Sequence, residues 1–213
     1  MQPFGYAAAT TLADALAWRA RVPDAMLIAG GTDMLQLLRE SVIAPAALID
    51  IGGLDLHGVG EHEGGVRIGA AAKLADVADD RTIRARYPVL AQALAETASP
   101  QVRNRATVGG NLLQRTRCLY FRDVASPCNR RIPGSGCPAQ EGENRINAIL
   151  GGSAACSATY PSDMATALVA LDAEIMLQSS DGARRMAVAD LHCAPGDAPE
   201  VETNLRPGEI IEA

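Results

Sequence analysis

Gln101-Val102-Arg103-Asn104-Arg105-Ala106-Thr107-Val108-Gly109-Gly110-Asn111 opens the stretch whose reading decides the fold. It runs on through Cys118, Cys128, Cys137 and Cys156 and closes on Pro161-Ser162-Asp163-Met164. Four of the chain's five cysteines lie in it. Between them Pro, Gly, Asn and Arg are frequent, and neither helical nor strand periodicity is visible. A loop this long inside a compact domain needs something to order it. A metal centre tying four thiolates together is one such device, because ligand bonds stand in for a missing core. From Arg115 to Arg145 there are six arginines and three acids, a net +3, in a chain whose net charge is −6. Cationic side chains and backbone N–H groups would offset the negative charge of a cubane iron–sulfur cluster and raise its potential. The spacing C-x9-C-x8-C-x18-C matches neither the compact ferredoxin run nor the paired C-x2-C of a zinc ribbon. It leaves an iron–sulfur cluster, zinc, and disulfides or free thiols all open.

Working toward the N-terminus, Ala25 to Ala29 is a short apolar run that reads as a buried strand. Gly30-Gly31-Thr32-Asp33 follows, and then Met34 to Glu40 with helical character. This strand–glycine turn–helix unit suits an anion, because glycines let the backbone come close and the N–H groups opening a helix point outward. It lacks both G-x-G-x-x-G and a Walker lysine. A plain turn with Thr32 as helix cap is the competing reading. Thr10 to Ala20 reads as the first helix, Ala47 to Ile51 as a second strand and Val66 to Ala70 as a third. Helices are predicted at Lys73–Ala78, Thr82–Tyr87 and Pro88–Ala98, the last with proline in its first turn. His57 and His62 lie in polar loop sequence and read as solvated.

Toward the C-terminus, Arg145 to Leu150 reads as a strand. Pro161-Ser162-Asp163 opens a helix with Ser162 as its cap. Ala173–Gln178 and Arg184–Val188 flank Ser180-Asp181-Gly182, a hairpin signal. The end, through Pro207-Gly208-Glu209-Ile210-Ile211, begins another strand. Cys193 reads as a bystander thiol. Beta and alpha elements alternate through the first hundred residues, so that part of the chain is α/β or α+β.

The 213 residues, 48% of them hydrophobic and only 3% aromatic, describe an ordinary globular chain whose core relies on Ala, Val, Leu and Ile. The acidic balance argues against a nucleic-acid partner. No apolar run is long enough to span a bilayer. Met1 to Tyr6 has no basic region followed by an apolar one, so no signal peptide is expected here. That points to the cytoplasm, or to export on a partner's signal.

Taken together, Ile28–Asp33, Arg103–Leu112 and Pro161–Met164 resemble the FAD-binding subunit of the xanthine dehydrogenase family of molybdenum hydroxylases. The insertion from Leu113 through Cys137 is similar to that of the flavin subunit of bacterial periplasmic aldehyde oxidoreductases, the branch that carries an extra [4Fe–4S] cluster. The resemblance implies an α+β fold of the vanillyl-alcohol-oxidase (PCMH-like) type, with two α/β subdomains at 1–58 and 59–213 and a cluster-binding insertion at 113–157. It implies that Met26, Leu27, Ile28, Ala29, Gly30, Gly31, Thr32, Asp33 and Met34 hold the FAD pyrophosphate. Thr107, Val108, Gly109, Gly110 and Asn111 would meet the flavin end and phosphates from the second subdomain, and Asp163 would hydrogen-bond the cofactor. Cys118, Cys128, Cys137 and Cys156 would ligate the cluster. A carboxylate beside a pyrophosphate is awkward, so Asp33 is expected to point away or to cap the helix. The substrate chemistry would lie on a large molybdenum-pterin subunit, which oxidises aldehydes. A small subunit with two [2Fe–2S] clusters would relay electrons to FAD here, and from there to an external acceptor. No catalytic residue is expected in this chain. Family members continue into a further C-terminal domain, which this chain is expected to lack. The rival expectation is an isolated, non-catalytic domain whose cysteines pair as disulfides or bind zinc.

Overall fold

The computed structural model describes residues 2–213. The chain starts with β1 (Gly5–Ala8), α1 (Leu12–Arg21), β2 (Ala25–Ile28), α2 (Met34–Arg39) and β3 (Ala47–Asp50). These strands form a parallel sheet in the order β1-β3-β2. Thr11 caps α1 by accepting from the Asp14 N–H at 3.0 Å, which satisfies a donor that the helix itself leaves free. Ala15, Ala25, Ile49 and Leu54 make the small core of this first lobe. Alanines there let α1 lie close against the strands.

The second lobe begins with the antiparallel pair β4 (Val59–His62) and β5 (Gly65–Ile68). A run of short helices follows: α3 (Leu74–Asp79), α4 (Arg81–Arg86), α5 (Pro88–Glu96), α6 (Pro100–Arg103), α7 (Val108–Leu112) and α8 (Leu119–Arg122). Asp80 separates α3 from α4 and caps the latter through the N–H groups of Thr82 and Ile83 at 2.8 and 3.0 Å. After the cysteine segment come α9 (Asp163–Ala170), the hairpin β6 (Glu174–Ser179) and β7 (Gly182–Ala187), and β8 (Ile210–Ile211). The second three-stranded sheet runs β7-β6-β8 and is antiparallel throughout. Ser162 caps α9 as its sequence position suggests, accepting from the Ala165 N–H at 3.0 Å. The mixed, lobed α+β architecture expected from the sequence is what the chain adopts.

The last residues join the two lobes. Ile210 packs in the first core and Ile211 in the second, because neighbouring side chains on a strand point to opposite faces. The Glu212 carbonyl accepts from the Ala70 N–H at 2.9 Å, and the Ala213 carbonyl from the Met176 N–H at 2.8 Å.

One local expectation fails, and two strands went unannounced. Gly5-Tyr6-Ala7-Ala8 is a strand that its composition does not announce; pairing with β3 overrides weak intrinsic preference. β4 was likewise illegible in the polar Val59-Gly60-Glu61-His62. Arg145–Leu150 is irregular, not a strand: Ile149 is 98% exposed, and no ladder forms there to make use of its apolar residues. The cysteine segment also has a core of its own. Phe121 is fully buried with Leu37, Val42, Cys118 and Cys128, so the insertion packs onto α2 of the first lobe.

Candidate functional site

Between the lobes lies a cleft of about 140 Å³, lined by Met26 to Met34 on one side. These residues are the end of β2, the glycine turn and the start of α2. Facing them are Ala70, Ala71, Thr107, Gly109 and Gly110, with Leu113 and Arg115 at one edge and Ile210 and Ile211 in the floor. The glycine turn is pressed against the second lobe. A Cβ on Gly30 would stand 2.1 Å from the Arg105 carbonyl oxygen, and Gly31 has φ +72°. Both positions therefore require glycine. The backbone N–H groups of Thr32, Asp33 and Met34 have no hydrogen-bond partner among the described residues, which leaves them as donors for a ligand in the cleft. Thr32 does not cap α2. Asp33 occupies the cap position and makes no side-chain cap bond.

The structure brings together all nine residues from Met26 to Met34 and three of the five at the second turn. Val108 turns into the main core and does not line the cleft. Thr107 spends its hydroxyl oxygen as the cap of α7, accepting from the Gly110 N–H at 3.2 Å. Asn111 is buried, and its Oδ1 accepts from the Ser162 hydroxyl at 2.5 Å. Asp163 sits in the first turn of α9, where its Oδ2 accepts from Thr97 Oγ1 at 3.4 Å. Asn111 and Asp163 therefore hold α7 and α9 in place and do not line the cleft.

Asp33 does point away from the cleft's centre, toward the cysteine insertion. Its carboxylate accepts from the Arg115 N–H at 2.9 Å, Arg117 Nη1 at 2.6 Å and Arg122 Nη2 at 2.8 Å. The glycine turn and the insertion are thus tied by one carboxylate. A second tie runs through Glu202. Arg115 grips it in a fork at 2.9 and 2.7 Å, and Arg130 Nη1 lies 3.2 Å from it. The Arg115 guanidinium also lies over the Phe121 ring, 4.5 Å from its centre. The sequence showed these arginines only as a positive run. Their acidic partners come from positions 33 and 202, far off in the chain, so no local pattern could pair them.

All five cysteines are unpaired, and Cys118, Cys128 and Cys156 are buried. Those three and Cys137 line one small, tightly packed pocket of about 10 Å³, with Phe121, Asn129, Arg130 and Asn147 among its walls. Each sulfur faces an N–H donor. Asn147 Nδ2 is 3.6 Å from Cys118 Sγ, Gln140 Nε2 is 4.0 Å from Cys137 Sγ, and the Ala158 N–H is 3.4 Å from Cys156 Sγ. The backbone N–H groups of Arg130 and Arg131 face Cys128. Burial nonetheless pushes the Cys128 thiol up, since those two N–H groups only partly offset the lost solvation. Burial works against the charge on Arg130, but the Cys156 sulfur and Glu202 outweigh it and hold its pKa above the ordinary value. Among the described residues no three His, Cys, Asp or Glu side chains are grouped closely enough to hold a single metal ion. Cys193 lies apart, its thiol 3.4 Å from Asn204 Oδ1. His57, although exposed, is not simply solvated. Its two ring nitrogens lie 2.9 Å from the Ala71 carbonyl and 3.1 Å from that of Gly52.

Two α+β lobes, a glycine turn pressed into the seam and a cleft with free backbone donors define a domain suited to an anionic ligand. The chain belongs to the family described as the FAD binding domain in molybdopterin dehydrogenase, which it matches over residues 2–213. It is therefore an FAD-binding subunit of the molybdenum hydroxylase type, a component of oxidoreductases. It is 47% identical over 215 residues to the aldehyde oxidoreductase FAD-binding subunit PaoB of Escherichia coli strain K12, covering 100% of this chain and 68% of that one. It is 28% identical to the xanthine dehydrogenase FAD-binding subunit of Escherichia coli O157:H7, covering 98% of this chain and 56% of the relative. Its fold is similar to that in reconstituted CO dehydrogenase from Oligotropha carboxidovorans, with a TM-score of 0.71, 22% identity, and coverage of 99% of this chain and 58% of that chain. The chain thus spans between about half and two thirds of the length of these relatives. No helix among the described residues is long and apolar enough to cross a membrane.

Proposed function

We propose that this chain is the FAD- and [4Fe–4S]-binding electron-transfer subunit of a molybdenum-dependent aldehyde oxidoreductase. Its partners in this reading are a large molybdenum-pterin subunit and a small [2Fe–2S] subunit, and it passes their electrons to an external acceptor. The observation that carries the cluster is the convergence of Cys118, Cys128, Cys137 and Cys156 on one small pocket, each sulfur faced by an N–H donor. The cysteine spacing has no C-x2-C pair of the kind that holds a structural zinc. A cubane binds each thiolate to a different iron, so it accepts sulfurs spread around a larger body. Unpaired thiols leave the disulfide reading without support.

The flavin and the iron supply the redox chemistry when bound. The protein's part is to hold them. In this reading Met26 to Met34 receive the FAD pyrophosphate with backbone N–H groups, while Thr107, Gly109 and Gly110 close the cleft from the second lobe. Val108, Asn111 and Asp163 support that wall from behind. Asp33 stays clear of the phosphates because the arginines of the insertion draw it aside. The likeness to PaoB supports an aldehyde as substrate of the whole complex. A folded, cluster-loaded protein exported on a partner's signal would keep these thiols from oxidation in a periplasm; a partner precursor with no export signal would place the complex in the cytoplasm.

Iron, acid-labile sulfide and flavin analysis of anaerobically purified protein tests this directly. The expected result is a brown protein with flavin, four irons and four sulfides per chain, and loss of the cluster absorption in Cys128→Ser. Colourless protein carrying zinc, or with its cysteines paired, would overturn the cluster.

A further inference from the structure

Arg130 lines the four-cysteine cavity and also a second cavity on its other side. Its side chain is 11% exposed. Nη1 is paired with Glu202 at 3.2 Å, and the guanidinium lies beside the Cys156 sulfur. Its Nε, however, is buried and has no hydrogen-bond partner among the described residues. Buried guanidinium N–H groups are rarely left so, because the desolvation is uncompensated. An acceptor is missing, and one of the two cavities that Arg130 lines is the one the four sulfurs share.

We propose that Arg130 is a positioning residue for the iron–sulfur centre: its Nε–H donates to the sulfur face of the bound cluster, and Glu202 fixes the guanidinium and moderates its charge. This rests on the reading that the four cysteines hold a [4Fe–4S] cluster. Glu202 is also gripped by Arg115, which lines the flavin cleft. The series Arg115–Glu202–Arg130 therefore joins the two cofactor sites by direct ion pairs. One-electron reduction makes a cluster more negative. A cation with an N–H aimed at its sulfurs stabilises the reduced form and raises the potential; the anion behind that cation partly cancels it.

Opposite signs follow for the two partners. In Arg130→Gln the reduction equilibrium falls roughly tenfold, since one charge-assisted hydrogen bond is lost, and a tenfold change is about 59 mV for one electron. In Glu202→Gln the potential moves the other way, because Arg130 acts undiminished. Arg130→Lys keeps the charge but loses the planar fork, and falls between Arg130→Gln and the parent. The measurement is low-temperature EPR potentiometry on the anaerobically purified natural complex, with iron and sulfide determined for every variant. An unshifted cluster in Arg130→Gln and Glu202→Gln, or shifts of the same sign, overturns the proposal while leaving the cluster itself in place. Parent protein without iron and sulfide overturns the cluster reading and this inference with it. Should Arg130→Gln fail to retain iron, Glu202→Gln decides: a positive shift supports the proposal, and no shift rejects it.

Discussion

Replacing Asp33 by alanine should cost more than its place in a surface-facing turn suggests. The carboxylate is 13% exposed and collects three donors, from Arg115, Arg117 and Arg122. Arg122 is itself 14% exposed, and its other contacts are the carbonyls of Thr116 and Arg115. Removing the anion strands this buried cation, and breaking such a pair costs about 3–5 kcal/mol. Arg117 is half exposed and adds little, since water screens it. For a domain of this size about 1 kcal/mol moves the midpoint by roughly 2–4 °C. Asp33→Ala should therefore unfold about 6–20 °C below the parent in a thermal melt followed by circular dichroism. Asp33→Asn keeps an acceptor for the Arg115 N–H and should lose less. The cysteine segment should loosen with it, giving faster amide exchange around Arg115 to Arg122 than in the parent. A melt within about 2 °C of the parent would refute the argument that this carboxylate anchors the insertion to the glycine turn.

Other outcomes follow from the same geometry. Gly30→Ala places a methyl 2.1 Å from the Arg105 carbonyl oxygen, with backbone on both sides, so the lobes must separate; flavin stoichiometry after purification should drop sharply. Phe121→Ala empties the centre of the insertion's core and should cost about 3–5 kcal/mol in denaturant unfolding, with iron retention falling as the cysteine cavity loosens. Glu209 accepts from Arg184 at 2.5 and 2.8 Å, which outweighs burial and holds its carboxyl below the usual range. A depressed folded pKa makes its contribution complete above the ordinary carboxylate range and lost as pH falls through the folded value. Acid unfolding should therefore be shallower in Glu209→Gln than in the parent, read from midpoints between pH 6 and 3.

Much of the first lobe was legible in the sequence because its signals are local. An apolar run, two glycines and a helical start mark β2, the turn and α2. Ser162 and Pro88 sit at helix starts where their chemistry puts them. β1 was not legible, because Gly5-Tyr6-Ala7-Ala8 becomes a strand only by lying beside β3. The cleft's first wall was readable as one contiguous run. Its second wall was readable as a turn but not residue by residue, since which of Thr107 to Asn111 face the cleft depends on how α7 rolls against α9. The four cysteines were visible at once, while their common cavity depends on Phe121 packing against Leu37 from a distant helix.

The charge distribution explains why these parts belong together. A segment with an excess of arginines would repel itself if left alone, and an aspartate in a turn proposed to receive phosphates would repel that ligand. Each fault corrects the other. Asp33 pairs with both Arg117 and Arg122 and offsets one of their two charges, and they pull its carboxylate out of the cleft. Glu202 does the same between Arg115 and Arg130. The acidic remainder of the chain supplies the counter-charges that let a basic insertion fold against it. An insertion without arginines at these positions would leave Asp33 free to swing toward the cleft, where about one unit of negative charge a few ångströms from a pyrophosphate is worth several kcal/mol at an effective dielectric of 20. The aspartate and the insertion should therefore be interdependent: deleting the arginines alone should weaken flavin binding more than deleting them together with Asp33. A double-mutant cycle between Asp33→Ala and Arg122→Gln, read as FAD affinity, measures that coupling, and purely additive effects would reject it.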